Sequence, residues 1–249
     1  MRRGVVLGAV ALAACTTQAV PRASPSAPEG MIAVPGAAVF LDRTPVTVAA
    51  WRASGLGTEA EREGGEVLDL ATGRWRIVPG ATYAFPEGPE GNPAAEEEPA
   101  TQISWDDASA FCARRGARLP TEAEWEAAAR NGQGDRTLYP WGDEPTTREG
   151  HWRLNAWQGA FPTANTLHDG YLFASPVGAF PPTPLGFVDL VGNVWQWTST
   201  AEGEERVMRG GSYLCDPDVC HGYRIAGRQT ATPDSALMHV GFRCAESAR

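Results

Sequence analysis

The clearest periodic signals lie mid-chain. After Ser104, the apolar residues Ala108, Phe111 and Cys112 recur at helical spacing on one face. Ser104 can cap that helix, with Asp107 three residues on. A second helix is predicted to open at Pro120-Thr121-Glu122-Ala123-Glu124. Thr121 and Glu124 have capping-box spacing, and Trp125, Ala128 and Ala129 form an apolar stripe. Arg130-Asn131-Gly132 closes it. Alternation over residues 194–198 predicts a strand. Residues 206–209 and 239–244 read as two more. Upstream, Val46-Thr47-Val48 reads as a strand and residues 49–52 as the opening of a short helix. Residues 55–73 read as polar, Gly-rich loop, 74–78 as a strand, and 85–99 as loop again. Between Gly132 and Val194 no long helix is evident. Two helices, short strands and abundant ordered loop predict an α+β fold, and with no linker inside residues 31–249 they predict one domain there.

Composition changes this picture only slightly. The chain has 249 residues, 43% of them hydrophobic, enough for a sizeable core. Its 28 Gly, 20 Pro and nine Trp suit many turns rather than a helical bundle. There is no lysine, so every strong cation is arginine. The formal charge of −9 argues against nucleic acid as a partner. Glu96-Glu97-Glu98 reads as a solvated loop. No internal repeat of fixed period is visible.

The first residues read as targeting. Met1-Arg2-Arg3 is a basic n-region, and residues 4–14 are apolar but only about half of a membrane span. Leu12-Ala13-Ala14-Cys15 resembles the lipobox of bacterial lipoproteins. The resemblance implies a signal peptide over residues 1–14, cleavage before Cys15 and lipidation of its thiol. Thr16 follows rather than Asp, so the expected location is the periplasmic side of a bacterial envelope, at the outer membrane, held by the lipid anchor only. Residues 15–30 then serve as lipidated cysteine and flexible tether. Loss of Arg2 and Arg3 takes the charge from −9 to −11.

Setting Cys15 aside leaves Cys112, Cys215, Cys220 and Cys244 in a compartment where disulfides form. Three pairings are possible, and spacing does not choose among them. The pattern does not complete a four-ligand zinc knuckle. His151, His168, His221 and His239 are scattered and read as surface or structural imidazoles.

Several motifs then occur in order from Pro99 to Cys244. They are Ser104-Trp105-Asp106-Asp107-Ala108, the run from Arg118 to Glu126 (RLPTEAEWE), Tyr139-Pro140-Trp141-Gly142 and the run from Val191 to Thr198 (VGNVWQWT). Arg209-Gly210-Gly211-Ser212-Tyr213, Tyr223-Arg224, Pro233-Asp234-Ser235 and Gly241-Phe242-Arg243 complete the set. With these the chain resembles the formylglycine-generating enzyme, or sulfatase-modifying factor, family. The resemblance implies a C-type-lectin-like fold. It also implies an oxidase that converts a cysteine of a client protein, of sulfatase type with a Cys-x-Pro-x-Arg segment, to formylglycine with O₂. A monomer is expected.

The resemblance assigns roles residue by residue. Cys215 and Cys220 match the family's two copper ligands, soft sulfur donors suited to Cu(I), and Ser212 matches a residue that orients substrate. Cys112 and Cys244 match a bridged pair. The positions of a second family bridge fall at Ala129 and Ile225, so both partners are absent together. Oxygen ligands for Ca²⁺ match Asn155, Ala156, Asp169 and Tyr171, the second and fourth through backbone carbonyls. A second calcium set matches Asp189, Gly192, Val194 and Gln196, where the family has Asn first and Glu last.

Three departures stand out. Pro45 replaces a glutamate before Val46-Thr47. Asp216 replaces a histidine beside the first copper position, and Asp216-Pro217-Asp218-Val219 is unusually acidic. His221-Gly222 replaces a polar-Arg pair. Two other readings compete with the oxidase. One is a same-fold enzyme without copper; the other is a non-catalytic lectin-like envelope module in which Cys215 and Cys220 form an inert disulfide.

Overall fold

Side chains that bond to nearby backbone start each helix. The computed structural model describes Met1 and residues 26–131, 136–217 and 220–248. Thr47 Oγ1 accepts from Ala50 N at 3.2 Å, so α1 (Val48–Ser54) begins where a strand was expected. A cap bond is worth about 1 kcal/mol and outweighs the β preference of two valines. Gly55, at φ 67°, ends the helix. α2 (Glu59–Glu63) lies inside the stretch expected to be loop, opened by a reciprocal capping box between Thr58 and Glu61. β3 (Gly65–Asp69) follows and pairs antiparallel with β4 (Arg74–Val78), so residues 55–73 hold a helix and a strand where continuous loop was expected. α3 (Trp105–Arg114) and α4 (Glu122–Arg130) begin at the expected boxes, Ser104 with Asp107 and Thr121 with Glu124. Asn131, left-handed at φ 51°, stops α4.

Three small sheets surround these helices. β1 (Met31–Ala33) and β9 (Ala245–Ser247) flank β2 (Val39–Asp42), both antiparallel to it. β3 and β4 form the second sheet. The third runs β7-β6-β5-β8, from β5 (Trp195–Glu202), β6 (Glu205–Arg209), β7 (Arg228–Ala231) and β8 (Val240–Gly241). β8 is parallel to β5; the other pairs are antiparallel. The strand expected over 239–244 is thus cut to two residues. Beyond Gly241 the backbone bonds elsewhere: Val46 N donates to Phe242 O at 2.9 Å and Asp42 N to Cys244 O at 2.8 Å.

Arg243 joins the sheets at the centre. It is 0% exposed, yet its donors are matched. Nε donates to Gln196 Oε1, Nη1 to the carbonyls of Asp42 and Arg43, and Nη2 to those of Val188 and Asp189, at 2.6–3.1 Å. Burial draws its pKa down to about 10, so it stays a cation at neutral pH. Cys112 and Cys244 are joined by a disulfide across 132 residues of chain, between α3 and the segment entering β9. Ala129 and Ile225 pack in one apolar cluster, both 0% exposed. Cys15 and all of residues 2–25 lie outside the described residues, as do Asp218 and Val219. Among the described residues no helix is long and apolar enough to cross a membrane.

Candidate functional site

β6 delivers the chain to the site. After Arg209 two glycines reverse the backbone at positive φ, Gly210 at 99° and Gly211 at 71°. A Cβ on Gly211 would overlap the backbone of Gly222 and Tyr223. Glycine there lets two stretches of the loop touch. The turn is then tied from several sides. Tyr213 N donates to Asn193 O at 2.9 Å, Tyr213 Oη to Met238 O at 2.9 Å, and Trp157 N to Cys215 O at 3.0 Å. Ser212, fully buried, accepts from Leu214 N at 3.2 Å through Oγ, and its carbonyl accepts from Cys215 N at 2.9 Å.

These bonds bring the sequence-assigned thiols together. Cys215 and Cys220 have Cα atoms 4.9 Å apart and are joined as a disulfide in the structure. Ser212 Oγ lies 4.0 Å from Cys215 Sγ. Both cysteines and Ser212 line a cavity of about 320 Å³. Cys220 also borders a second cavity, of about 370 Å³, lined by Arg136, Arg224 and Arg228. A roomier cavity of about 610 Å³ near Pro45 shares no residue with either. Gly222 is required here: a Cβ would strike the Trp195 ring and come within 3.0 Å of Cys220 Sγ. Asp216, the acidic departure, is buried at 2% exposure beside Cys215.

Sequence reasoning missed most of the cavity's walls. Trp75 and Phe161 line it with Leu68, Leu214, Leu237 and His239. Trp75 and His239 approach with ring centroids 5.0 Å apart. His239 Nδ1 is buried without a hydrogen-bond partner, and desolvation lowers the ring's pKa to about 3, so it is neutral. The available signal was Trp75 between Arg74 and Arg76 in the predicted strand, an aromatic flanked by charges; in the fold it is 44% exposed.

The two expected cation sets differ in form. In the first, Asn155 is buried and its Oδ1 has no partner, while its Nδ2 donates to Phe173 O at 2.9 Å. Asp169 accepts from Ala156 N and Tyr171 N, each at 3.0 Å. Gln158 Nε2 donates both to Ala156 O and to Asp169 Oδ2, placing a positive dipole among the matched oxygens. In the second set Gln196 is already occupied. Its Oε1 accepts from Trp125 Nε1 and Arg243 Nε, and its Nε2 donates to the carbonyls of Asp189 and Leu190. Gln196 therefore offers no lone pair to a cation in this arrangement. Asp189 Oδ2 accepts from Gly178 N at 3.0 Å, and burial raises its pKa to about 6. Gly192, at φ 75°, stands where a Cβ would come 2.6 Å from Asn155 O, and Val194 is fully buried.

Comparison with known proteins places the chain in a family. A model of the sulfatase-modifying factor enzyme 1-like domain matches residues 8–248. The formylglycine-generating enzyme of Mus musculus is 42% identical over 189 residues, covering 69% of this chain and 50% of its own length. That of Streptomyces coelicolor is 40% identical over 246 residues, covering 84% of this chain and 78% of its own. The chain thus spans about half the length of the mouse enzyme it matches. A second mouse relative, 45% identical over 182 residues, with 70% of this chain and 58% of its own covered, carries the name inactive C-alpha-formylglycine-generating enzyme 2. Among solved structures, PvdO from Pseudomonas aeruginosa superposes with a TM-score of 0.58 at 23% identity, covering 84% of this chain and 80% of its own. That likeness establishes the fold alone.

Proposed function

Because the chain belongs to the sulfatase-modifying factor enzyme family, we propose that it is a formylglycine-generating oxidoreductase whose substrate is a cysteine in a client protein of sulfatase type. One observation carries the reading: Cys215 and Cys220 together line one cavity, with Ser212 Oγ 4.0 Å from Cys215 Sγ. Two soft sulfurs suit Cu(I). In this reading a substrate thiol would complete the coordination begun by the two cysteines. Once a thiol reductant supplies two electrons to open the Cys215–Cys220 disulfide, the two thiolates would hold Cu(I), which would supply the electron path between the substrate thiol and O₂.

The chain's own residues bind and orient. Ser212 Oγ accepts from Leu214 N and keeps its proton for the incoming substrate. Trp75, Phe161, Leu214 and Leu237 give the cavity apolar walls that exclude water around the client segment. His239, held neutral by burial, completes this wall with its ring beside Trp75. Calcium fits the first set best, where the buried Asn155 Oδ1 lacks a partner. At the second set Asp189 and the carbonyls of Gly192 and Val194 remain, without Gln196. We place the protein outside the cytoplasm as a monomer, lipid-anchored through Cys15.

Converting a cysteine to the aldehyde breaks its C–S bond, releases the sulfur as hydrogen sulfide and frees two electrons, whereas reducing O₂ to water takes four. The assay therefore supplies a thiol reductant. The Cu(I)-loaded protein is incubated with a Cys-x-Pro-x-Arg peptide and O₂, and the aldehyde is sought by mass spectrometry. Absence of aldehyde, together with failure to take copper from a competing chelator, overturns the reading. The Cys215–Cys220 disulfide favours a second reading, a non-catalytic lectin-like module. That module would keep the bond under mild reduction and bind no copper.

A further inference from the structure

A third cavity lies away from the thiols, beneath the Pro-rich loop before α3. It measures about 230 Å³ and is lined by Glu87, Glu98 and Thr101, with Tyr171 and Tyr213 among its other walls. None of Ser212, Cys215 and Cys220 reaches it, and of the residues matched to calcium only Tyr171 does.

Its polar groups are poorly satisfied by the protein. Among the described residues Glu87 and Glu98 have no arginine partner, and no arginine lines the cavity. Glu98 accepts one backbone bond, from Ala95 N at 3.1 Å. Burial raises both carboxyls, Glu87 to about 7, and the Glu98 charge adds to the shift of Glu87. Thr101 is 1% exposed, and its buried Oγ1 has no hydrogen-bond partner. Leaving such a hydroxyl unmatched in the fold is unfavourable. Two half-buried like charges without a counter-charge add to that cost.

We propose that this cavity binds one divalent cation, Ca²⁺ by its chemistry, through the carboxylates of Glu87 and Glu98 and the hydroxyl of Thr101. Glu87 and Glu98 each take a single backbone bond and no counter-charge, so one hard cation would answer both carboxylates and the unmatched hydroxyl, and every donor is oxygen, the ligand set that calcium takes. Tyr213 forms a wall of the cavity and is the residue after Ser212. The ion would thus brace the thiol loop from behind without touching the reacting sulfurs. The site stands independently of the proposed oxidase activity.

The test counts calcium on the full mature chain after chelator stripping, by isothermal titration, with thermal unfolding as a second readout. Glu98→Gln and Asp169→Asn should each remove one equivalent, and the double variant two. Thr101→Val, close in shape, should weaken one equivalent at least tenfold and leave the others unchanged. Without calcium, Glu98→Gln should unfold no earlier than the parent, because a repulsion has been removed. The proposal is overturned if Glu87→Gln and Glu98→Gln bind as many equivalents as the parent at the same affinity. It is also overturned if Asp169→Asn alone abolishes all binding. Should Glu98→Gln fail to fold by near-ultraviolet circular dichroism, the Thr101→Val titration decides the matter alone.

Discussion

The chain holds two bonded cysteine pairs that share a chemistry and differ in everything around it. Cys112 and Cys244 are both 0% exposed, sit in the main apolar cluster and close 132 residues of chain. Cys215 and Cys220 are five residues apart, border two cavities and have a serine hydroxyl at 4.0 Å. The first pair has no access for a substrate; the second has little loop to close. Long loops gain most from a cross-link in the chain-entropy account, roughly 5 kcal/mol for a loop of this size against about 2 for the short one. Position therefore separates a staple from a site, although both pairs are cysteines in the same oxidation state.

Breaking each pair should expose this contrast. Replacing Cys112 and Cys244 together by Ser should lower stability by roughly 5 kcal/mol in denaturant unfolding. Turnover per folded molecule should stay near the parent value. Cys215→Ala or Cys220→Ala should do the opposite: at least about a thousandfold loss of aldehyde formation, equivalent to ~4 kcal/mol, with a smaller stability change. Equal stability losses for the two pairs would erase the distinction.

Two smaller effects sharpen it. Chelating calcium should lower the melting temperature of the parent, by an amount corresponding to about 2.7 kcal/mol per site when calcium was at a hundred times its Kd. Asp169→Asn should shrink that shift, read by differential scanning calorimetry. The weakest effect concerns His239 at the cavity wall. Its pKa is about 3 in the fold and 6.5 when unperturbed. The unfolded chain thus binds a proton that the folded one refuses between these values. Stability is complete above pH 6.5 and falls as pH drops towards 3. Because solvent partly reaches the ring, the loss at pH 5 should be about 1 kcal/mol. His239→Asn should flatten this part of the pH–stability curve; an unchanged curve would place the acid sensitivity elsewhere.

Much of the local structure was legible because its causes are local. Ser104 with Asp107 and Thr121 with Glu124 announce α3 and α4 within four residues each, and both boxes form. The same spacing at Thr58 and Glu61 announced α2 but was masked by surrounding glycines. β4 reads correctly from its own residues. The sheet of β1, β2 and β9 does not, because β2 finds its second partner some two hundred positions away. Val46-Thr47-Val48 misled because β-branched residues mark strands statistically, whereas one hydroxyl bond to Ala50 N decides the helix start.

The chemistry divides in the same way. The family resemblance singled out Cys215, Cys220 and Ser212, and it could do so because one short loop after a Gly-Gly turn carries all three. Folding decided which sulfurs pair, since proximity across 132 residues leaves no local trace. It also decided that Gln196 serves Arg243 and Trp125 rather than a cation. Trp75, Phe161 and His239 reach one cavity from three distant segments, and Glu87, Glu98 and Thr101 meet around another. A sequence reports what bonds to its neighbours; only packing determines which distant polar groups are brought together and left unsatisfied.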